Sequence, residues 1–382
     1  MAEKTPSSLS IKLDRRLTWV GLGLLTLLVK MLFSLNPFFT EVVYSRGFFS
    51  LLRYLWDYSF GLLPFAPLYL AAPLLLGWMI WEIRKSIKGR KNQSFRHRWM
   101  GRALSFLAFL GGIIFFFHLV WGFNYQRQSL ETRLQLPSVQ LDSALVQIEF
   151  LRATDQLITQ SRALNRAPED SIPLSQDDLP EEMEGLIREL LTHQLKSWGY
   201  PTPGRARARR IFPAGTLMQL GALGIYIPFV GEGHVDGALP PVSQPFTLTH
   251  EMAHAYGFAE ESSCNFWAYL ATQASEDPVM RYAGAFSYWR YIAATYQYFF
   301  PEDFELIWEG MDKSIKADLS LLRQTLDRYP GLFPSLYKKI YDQHLKSQGI
   351  EEGLANYSRV INLVVSLRQL QEREETTPST MP

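Results

Sequence analysis

The chain is short of cysteine and of any surplus of charge. A single cysteine, Cys264, in 382 residues excludes an intrachain disulfide, so folding does not depend on oxidation. Lys and Arg number 38 against 37 Asp and Glu, a formal net charge of +1 that excludes the basic surface expected of a nucleic-acid binder. Internal repeats and long low-complexity tracts are missing, apart from a polar tail after Glu372 that reads as disordered. No cleavable signal peptide is expected either. The first apolar stretch is too long for one and lacks a small-residue cleavage site.

Aromatic residues, by contrast, are abundant: 25 Phe and 10 Trp are heavy for a soluble enzyme of this length. The mean hydropathy is nevertheless close to neutral, so the apolar residues are unevenly spread. Three apolar runs in the first third, at about 17–35, 60–81 and 103–123, are long enough to cross a bilayer as helices. Lys30 falls near one end of the first run, where it can snorkel to the interface. Pro64, Pro67 and Pro73 in the second are tolerated in lipid-embedded helices. Trp19, Trp78, Trp81, Trp99 and Trp121 fall near span ends, where amphipathic rings prefer to lie.

Basic residues set the expected direction. Arg84, Lys85, Lys88, Arg90, Lys91, Arg96, Arg98 and Arg102 crowd the second connection, and Lys4, Lys12, Arg15 and Arg16 precede the first run. Both segments are therefore expected in the cytoplasm, which puts everything after Phe123 on the outer side. The expected organisation is a membrane anchor over 1–123 and an extracytoplasmic domain over 124–382. Between the first two runs, Pro37 to Tyr58 is aromatic and mildly amphipathic, and reads either as a surface-lying segment or as a plain loop.

Beyond Asn124 the composition is that of a globular domain. Helical spacing marks 138–165 and 179–198, with a loop at 166–180 and a firm stop at Gly199 to Gly204. Arg205, Arg207, Arg209 and Arg210 suggest a headgroup or carboxylate contact, or else a solvated face leading into a strand. Gly224 to Val230 reads as a strand, and Pro228 confines it to a sheet edge, where it could pair with an extended peptide.

The informative segment is His250-Glu251-Met252-Ala253-His254. On a helix, positions i and i+4 share a face, so both imidazoles can reach one ion. Glu251 then faces a metal-bound water and can accept its proton as general base. Pro245 suits the first helical turn, and Gly257 suits the stop. Catalytic zinc takes three protein ligands and leaves a position for water, so a third ligand is needed. Glu261 leads, because Glu261 and Asn265 would share a face of a second helix folded back over the histidines, with Asn265 orienting a ligand. Glu260 is the alternative. Cys264 reads as a packed residue, though it could be a soft ligand. Tyr357 and Arg359 are candidates for stabilising an oxyanion, and His234 for touching substrate.

Several segments together carry a resemblance. They are Pro228-Phe229-Val230-Gly231-Glu232, Leu239-Pro240, Pro245-Phe246-Thr247, the motif through Gly257-Phe258-Ala259, and Trp121-Gly122-Phe123-Asn124-Tyr125. Tyr341-Asp342, Leu345-Lys346 and Tyr357-Ser358-Arg359-Val360 complete the set. Over nearly its whole length the chain resembles a bacterial family of uncharacterised membrane proteins, domain of unknown function 3810. The resemblance implies a zincin-like site similar to the glutamate-zincins, in which E-x-x-x-(D/N) follows the histidines; that favours Glu261 with Asn265.

The expected fold is thus mainly α, with three N-terminal transmembrane helices followed by an α+β zincin-like metallopeptidase domain carrying a small sheet. The expected activity is zinc-dependent hydrolysis of a peptide or protein substrate in the envelope, at the bacterial inner membrane. A non-catalytic zinc-stabilised scaffold or sensor is the alternative, and hydrolysis of another bond, such as a cell-wall amide, a third.

Overall fold

A computed structural model describes residues 14–88 and 95–376 of the chain. Lys4, Lys12, Arg90 and Lys91 of the expected cytoplasmic segments lie outside the described residues, as does the tail from 377 onward. The first helix, α1 (Arg15–Ser34), starts where the Asp14 carboxylate accepts from the Arg16 N–H at 3.0 Å. A π-helical stretch (Thr40–Phe48) then runs into α2 (Phe49–Asp57), so the segment read as surface-lying or looped is helical. One face of it is buried, through Glu41, Tyr44, Ser45, Phe49 and Arg53.

The second expected span needs correction. Residues 63–67, which hold Pro64 and Pro67, are not helical, and α3 (Leu68–Lys88) starts eight residues later than expected. A proline disfavours the helical conformation in the residue before it, so the pair pushes the helix start beyond Pro67. Glu82, Arg84 and Lys85 then follow too soon for a long uncharged stretch. Among the described residues two helices are long and apolar enough to cross a membrane: Arg15–Ser34 and Trp99–Val120, with mean hydropathies of 1.8 and 2.3. The second belongs to α4 (Phe95–Val120).

Helices α1 and α4 pack against each other in parallel. Arg16 Nη1 donates to the Gly101 carbonyl at 3.1 Å, Gly23 abuts Gly111, and the Phe33 ring meets Phe123 at 4.9 Å. Glycine is required at the crossing: a Cβ on Gly23 would lie 2.6 Å from the Gly111 Cα. The C-terminal ends of both helices meet the domain that follows.

That domain is mainly helical. Asp142 caps α5 (Ser143–Arg162) through the Leu145 N–H at 2.8 Å, and α6 (Met183–Ser197) follows, each shorter than the periodicity suggested. Three short strands come next: β1 (Ala208–Ile211), β2 (Gly224–Ile227) and β3 (Glu232–Asp236). The sheet order is β1-β3-β2, with β1 parallel and β2 antiparallel to the wholly buried β3, so β2 is an edge strand as expected. The Asp236 carboxylate ties the sheet down by accepting from the N–H groups of Gly215, Leu217, Met218 and Ala238 at 2.7–3.2 Å. Within the arginine run Arg205 is exposed, as a solvated face requires, while its neighbours turn inward. Arg207 pairs with Glu184 at 2.9 Å, while Arg209 donates to the Leu63 carbonyl at 2.8 Å and pairs with Glu232 at 3.2 Å.

The remaining helices are α7 (Gln244–Ala255), α8 (Glu261–Gln273), α9 (Pro278–Phe299), α10 (Pro301–Glu309), α11 (Lys313–Arg328), α12 (Pro334–Ser347) and α13 (Val360–Thr376). Helix α9 lies along α5, where the Phe150 and Tyr296 rings stack at 4.0 Å. Two buried acids inside this bundle are well partnered: Glu149 accepts from Tyr288 at 2.8 Å and Arg368 at 2.7 Å, and Asp318 from Tyr282 at 2.6 Å and Arg166 at 2.7 Å. Helix α13 continues through Glu372 to Thr376, which corrects the expected loss of order at that point: strong helix formers such as Gln, Glu and Arg sustain it.

Candidate metal centre

The local sequence dictates a helix, a sharp stop and a second helix. Pro245 occupies the first turn of α7, and Gly257, at φ +85°, supplies the left-handed residue that ends it. Any side chain at Gly257 would also collide with Phe49, 2.8 Å from the position of its Cβ. After this turn α8 runs back beside α7, which brings Glu261 over the histidines.

Three ligand-type atoms converge there. His250 Nε2 lies 3.1 Å from His254 Nε2 and 3.0 Å from Glu261 Oε2, and His254 Nε2 lies 3.5 Å from the same oxygen. A tetrahedral zinc with bonds of about 2.0–2.1 Å requires ligand atoms about 3.3–3.4 Å apart, so the triangle fits that ion. The outer nitrogens are fixed as donors. His254 Nδ1 is 2.7 Å from the Phe258 carbonyl, which can only accept. His250 Nδ1 is 2.8 Å from Asn265 Oδ1, whose amide nitrogen is engaged with the Tyr357 carbonyl at 3.1 Å. Nε2 of each ring is therefore the atom that could hold an ion on giving up its proton; burial disfavours the charged ring, yet Cys264 and Glu261 raise His254 well above its ordinary pKa.

Glu261 is buried, which alone would raise its pKa, yet His254 and His250 hold its carboxyl well below the ordinary range. Its second oxygen, Oε1, accepts from the Tyr341 hydroxyl. Glu251 faces the same space, and its Oε2 has no hydrogen-bond partner among the described residues. Burial pushes this carboxyl up to about 7, with the two histidines opposing. The backbone leaves room for Glu251 only because two neighbours lack side chains: a Cβ on Gly224 would lie 2.4 Å from its Oε1, and one on Gly233 2.6 Å from its Cβ.

Cys264 needs separate treatment, since its sulfur and ring nitrogens of His250 and His254 lie within 4.8 Å of one another. Its Sγ approaches His254 at Nδ1, 3.3 Å away, and the Phe258 carbonyl at 3.4 Å. That is the far edge of the imidazole from Glu261. An ion on the sulfur would have to displace the Phe258 bond, so the carboxylate is the better third ligand. Burial also pushes the thiol up to about 11, which disfavours the thiolate a metal would require.

The other expected residues divide. Tyr357 lies in the site, its ring parallel to His250 at 6.3 Å. Arg359 does not: it pairs on the surface with Glu131 and Glu352. Glu260 precedes α8 and accepts from the Ser263 hydroxyl at 3.2 Å, away from the histidines' Nε2 atoms. His234 is wholly buried in β3, and neither ring nitrogen has a hydrogen-bond partner among the described residues.

Contributions from far along the chain were not legible beforehand. Tyr341 reaches Glu261 from α12. Trp121 Nε1, just past α4, donates to the His254 carbonyl at 2.9 Å. Arg53 of α2 donates to the Gly231 carbonyl at 2.5 Å and contacts the Tyr226 hydroxyl at 3.4 Å, and the Tyr226 ring stacks beside His254 at 6.3 Å. Trp121 and Tyr341 had stood out only as parts of segments that carry the family resemblance, with no role attached.

Comparison with curated proteins finds no match, and neither does comparison with solved structures. A family model does match, from the π-helical segment to α13. It covers residues 44–365 and is described as a protein of unknown function, DUF3810, so the chain belongs to that family.

Proposed function

We propose that the protein is a membrane-anchored, zinc-dependent hydrolase, and that it acts as a peptidase on the outer side of the bacterial inner membrane. The observation that carries this reading is the 3.0–3.5 Å triangle of His250, His254 and Glu261 with an unpartnered Glu251 beside it. Bound zinc would supply Lewis acidity and a strongly acidified water. The chain's own residues do the rest. His250 and His254 bind through Nε2, held in that tautomer by Asn265 and the Phe258 carbonyl. Glu261 binds through Oε2 while Tyr341 holds Oε1. Glu251 takes the proton of the attacking water and passes it to the leaving amine. Its raised pKa suits a group that must accept and then release a proton near neutrality. Tyr357, parallel to His250, is placed to donate to charge developing on the substrate carbonyl oxygen. The free edge of β2 offers an extended peptide a row of backbone groups beside Glu251.

A closed structural site, the scaffold alternative, would need Cys264 as a fourth ligand, and its position at Nδ1 of His254 disfavours that. Metal analysis of the full-length protein tests the reading. About one zinc per chain, lost in His254→Ala and Glu261→Ala, is expected of a three-ligand site. Retention of zinc in both variants would end the assignment.

The same proposal includes three membrane crossings with the N-terminus in the cytoplasm. Helices α1 and α4 run parallel and both end at the domain, so if both cross the membrane the chain between them must return through it. Helix α3 is the segment available for that return, and the basic residues of the second connection support its direction. Because the one native cysteine is buried, single cysteines introduced at Arg15 and at Ser138 can be labelled selectively. Impermeant maleimide should reach only the second from outside intact cells. Labelling of both from the same side would refute the topology.

A further inference from the structure

A cavity of about 1520 Å³ lies among α1, α2, α3 and α4. Its middle is walled by Trp19, Trp78, Phe106, Phe109 and Phe116, without a charge. Arg15, Arg16, Arg102 and Glu82 lie at the end remote from the metal centre. Tyr226, Pro228, Phe229 and Gly231 lie at the other end, where β2 passes into β3. The same strand thus touches two places: Gly224 abuts Glu251, and from two residues on, at Tyr226, the chain borders the cavity.

We propose that this cavity holds the hydrocarbon anchor of a lipid-modified peptide substrate, whose chain runs from the cavity along the free edge of β2 to the metal centre. This rests on the hydrolase reading of that centre. Two to four residues of extended chain span about 7–13 Å, so the bond cleaved lies roughly two to four residues from the anchor. Antiparallel pairing is the more stable choice, and β2 points from Glu251 towards the cavity. An antiparallel partner therefore has its N-terminal end at the cavity and runs towards the metal centre, which places the anchor on the N-terminal side of the scissile bond. Walls of this kind call for an apolar occupant, and hydrocarbon chains meet that need. Cleavage itself is hydrolysis: water adds to the amide carbon, the C–N bond breaks, and the amine leaves with the proton.

The test uses full-length protein in phosphatidylcholine–phosphatidylglycerol nanodiscs and an octapeptide carrying an N-terminal palmitoyl group with a terminal diazirine. Glu251→Gln serves as the binding form, so labelling does not depend on turnover. Photolabelling of Trp78 and Phe109 peptides is expected, competed by unlabelled palmitoyl octapeptide and not by the unacylated octapeptide or by added phospholipid. Gly112→Phe, whose added side chain would point into open space against Trp19, should cut the competed labelling about tenfold by removing the local concentration of substrate at the site. Ala108→Leu is the second filling variant if the first loses its thermal unfolding transition. Competition by phospholipid alone would overturn the proposal, as would labelling indifferent to both filled cavities. The two readings fail separately. Anchor-dependent labelling with no cleavage by the unmutated protein sinks the hydrolase alone, and cleavage of the unacylated peptide without anchor-dependent labelling sinks the cavity proposal alone.

Discussion

Replacing Asn265 with leucine should weaken zinc binding while leaving the fold standing. Asn265 Oδ1 accepts from His250 Nδ1 at 2.8 Å, and the two residues are 1% and 7% exposed, so water cannot take over the bond. Leucine keeps most of the volume and removes the acceptor. An unpaired buried N–H costs about 1–3 kcal/mol, and the cost falls on the metal-bound form because that form requires the proton at Nδ1. At about 1.4 kcal/mol per decade this is roughly a 5- to 150-fold loss of affinity, which brackets the 10- to 100-fold typical of such orienting bonds. The measurement is a competition titration against a chromophoric chelator at neutral pH. Asn265→Asp, which retains an acceptor in the same place, should recover most of the loss. Cys264→Ala should change affinity by less than about threefold, because the sulfur faces the wrong edge of His254. An unchanged Kd in Asn265→Leu would refute the proposed holding of His250, and a Cys264→Ala loss as large would point to a closed, sulfur-ligated site.

Other perturbations follow from the same geometry. Glu251→Gln should keep its zinc while hydrolysis of any cleaved peptide falls by about 10²–10⁴-fold, as loss of a general base requires; full activity in a zinc-replete variant would exclude that role. Asp236→Ala strips four backbone N–H groups of their shared acceptor and should lower unfolding stability by about 3 kcal/mol or more, read from denaturant midpoints. His234 is held neutral by burial, its pKa depressed from 6.5 to about 4. Only the unfolded chain gains a proton between those values, so this contribution is intact above pH 6.5 and lost progressively as the pH falls to about 4. The loss should reach about 3 kcal/mol and vanish in His234→Gln; equal acid sensitivity in both proteins would show that another group is responsible.

The motif, its two helices and the turn between them were legible in the sequence because each depends on neighbours in the chain. Pro245 and Gly257 bound α7, and the i, i+4 spacing aligns His250 with His254. The edge strand was legible too, since Pro228 cannot donate to a ladder. The second apolar run was not, because its composition satisfied a length criterion while Pro64 and Pro67 cut its helical part short. The arginine run was read correctly only at Arg205, which is exposed. Charge suggested a surface, but the carbonyls of Gly61 and Leu63 and the carboxylates of Glu184 and Glu232, distant in sequence, draw Arg207 and Arg209 inward. Tyr341 and Trp121 were marked only by the resemblance, and their roles were out of reach. Nothing local to either signals a bond to Glu261 or to the His254 carbonyl, both of which exist only once the chain has closed on itself.

The Trp121 bond to the His254 carbonyl means that the anchor is part of the site's own scaffolding. A fragment cut free just after Trp121 would lose that indole, the Arg53 contact at Gly231 and the Phe49 packing against Gly257. The last turn of the histidine helix would then be exposed and free to fray. If the chain is the membrane-anchored hydrolase proposed above, release from its anchor would therefore cost the site its geometry and hold the activity at the bilayer surface.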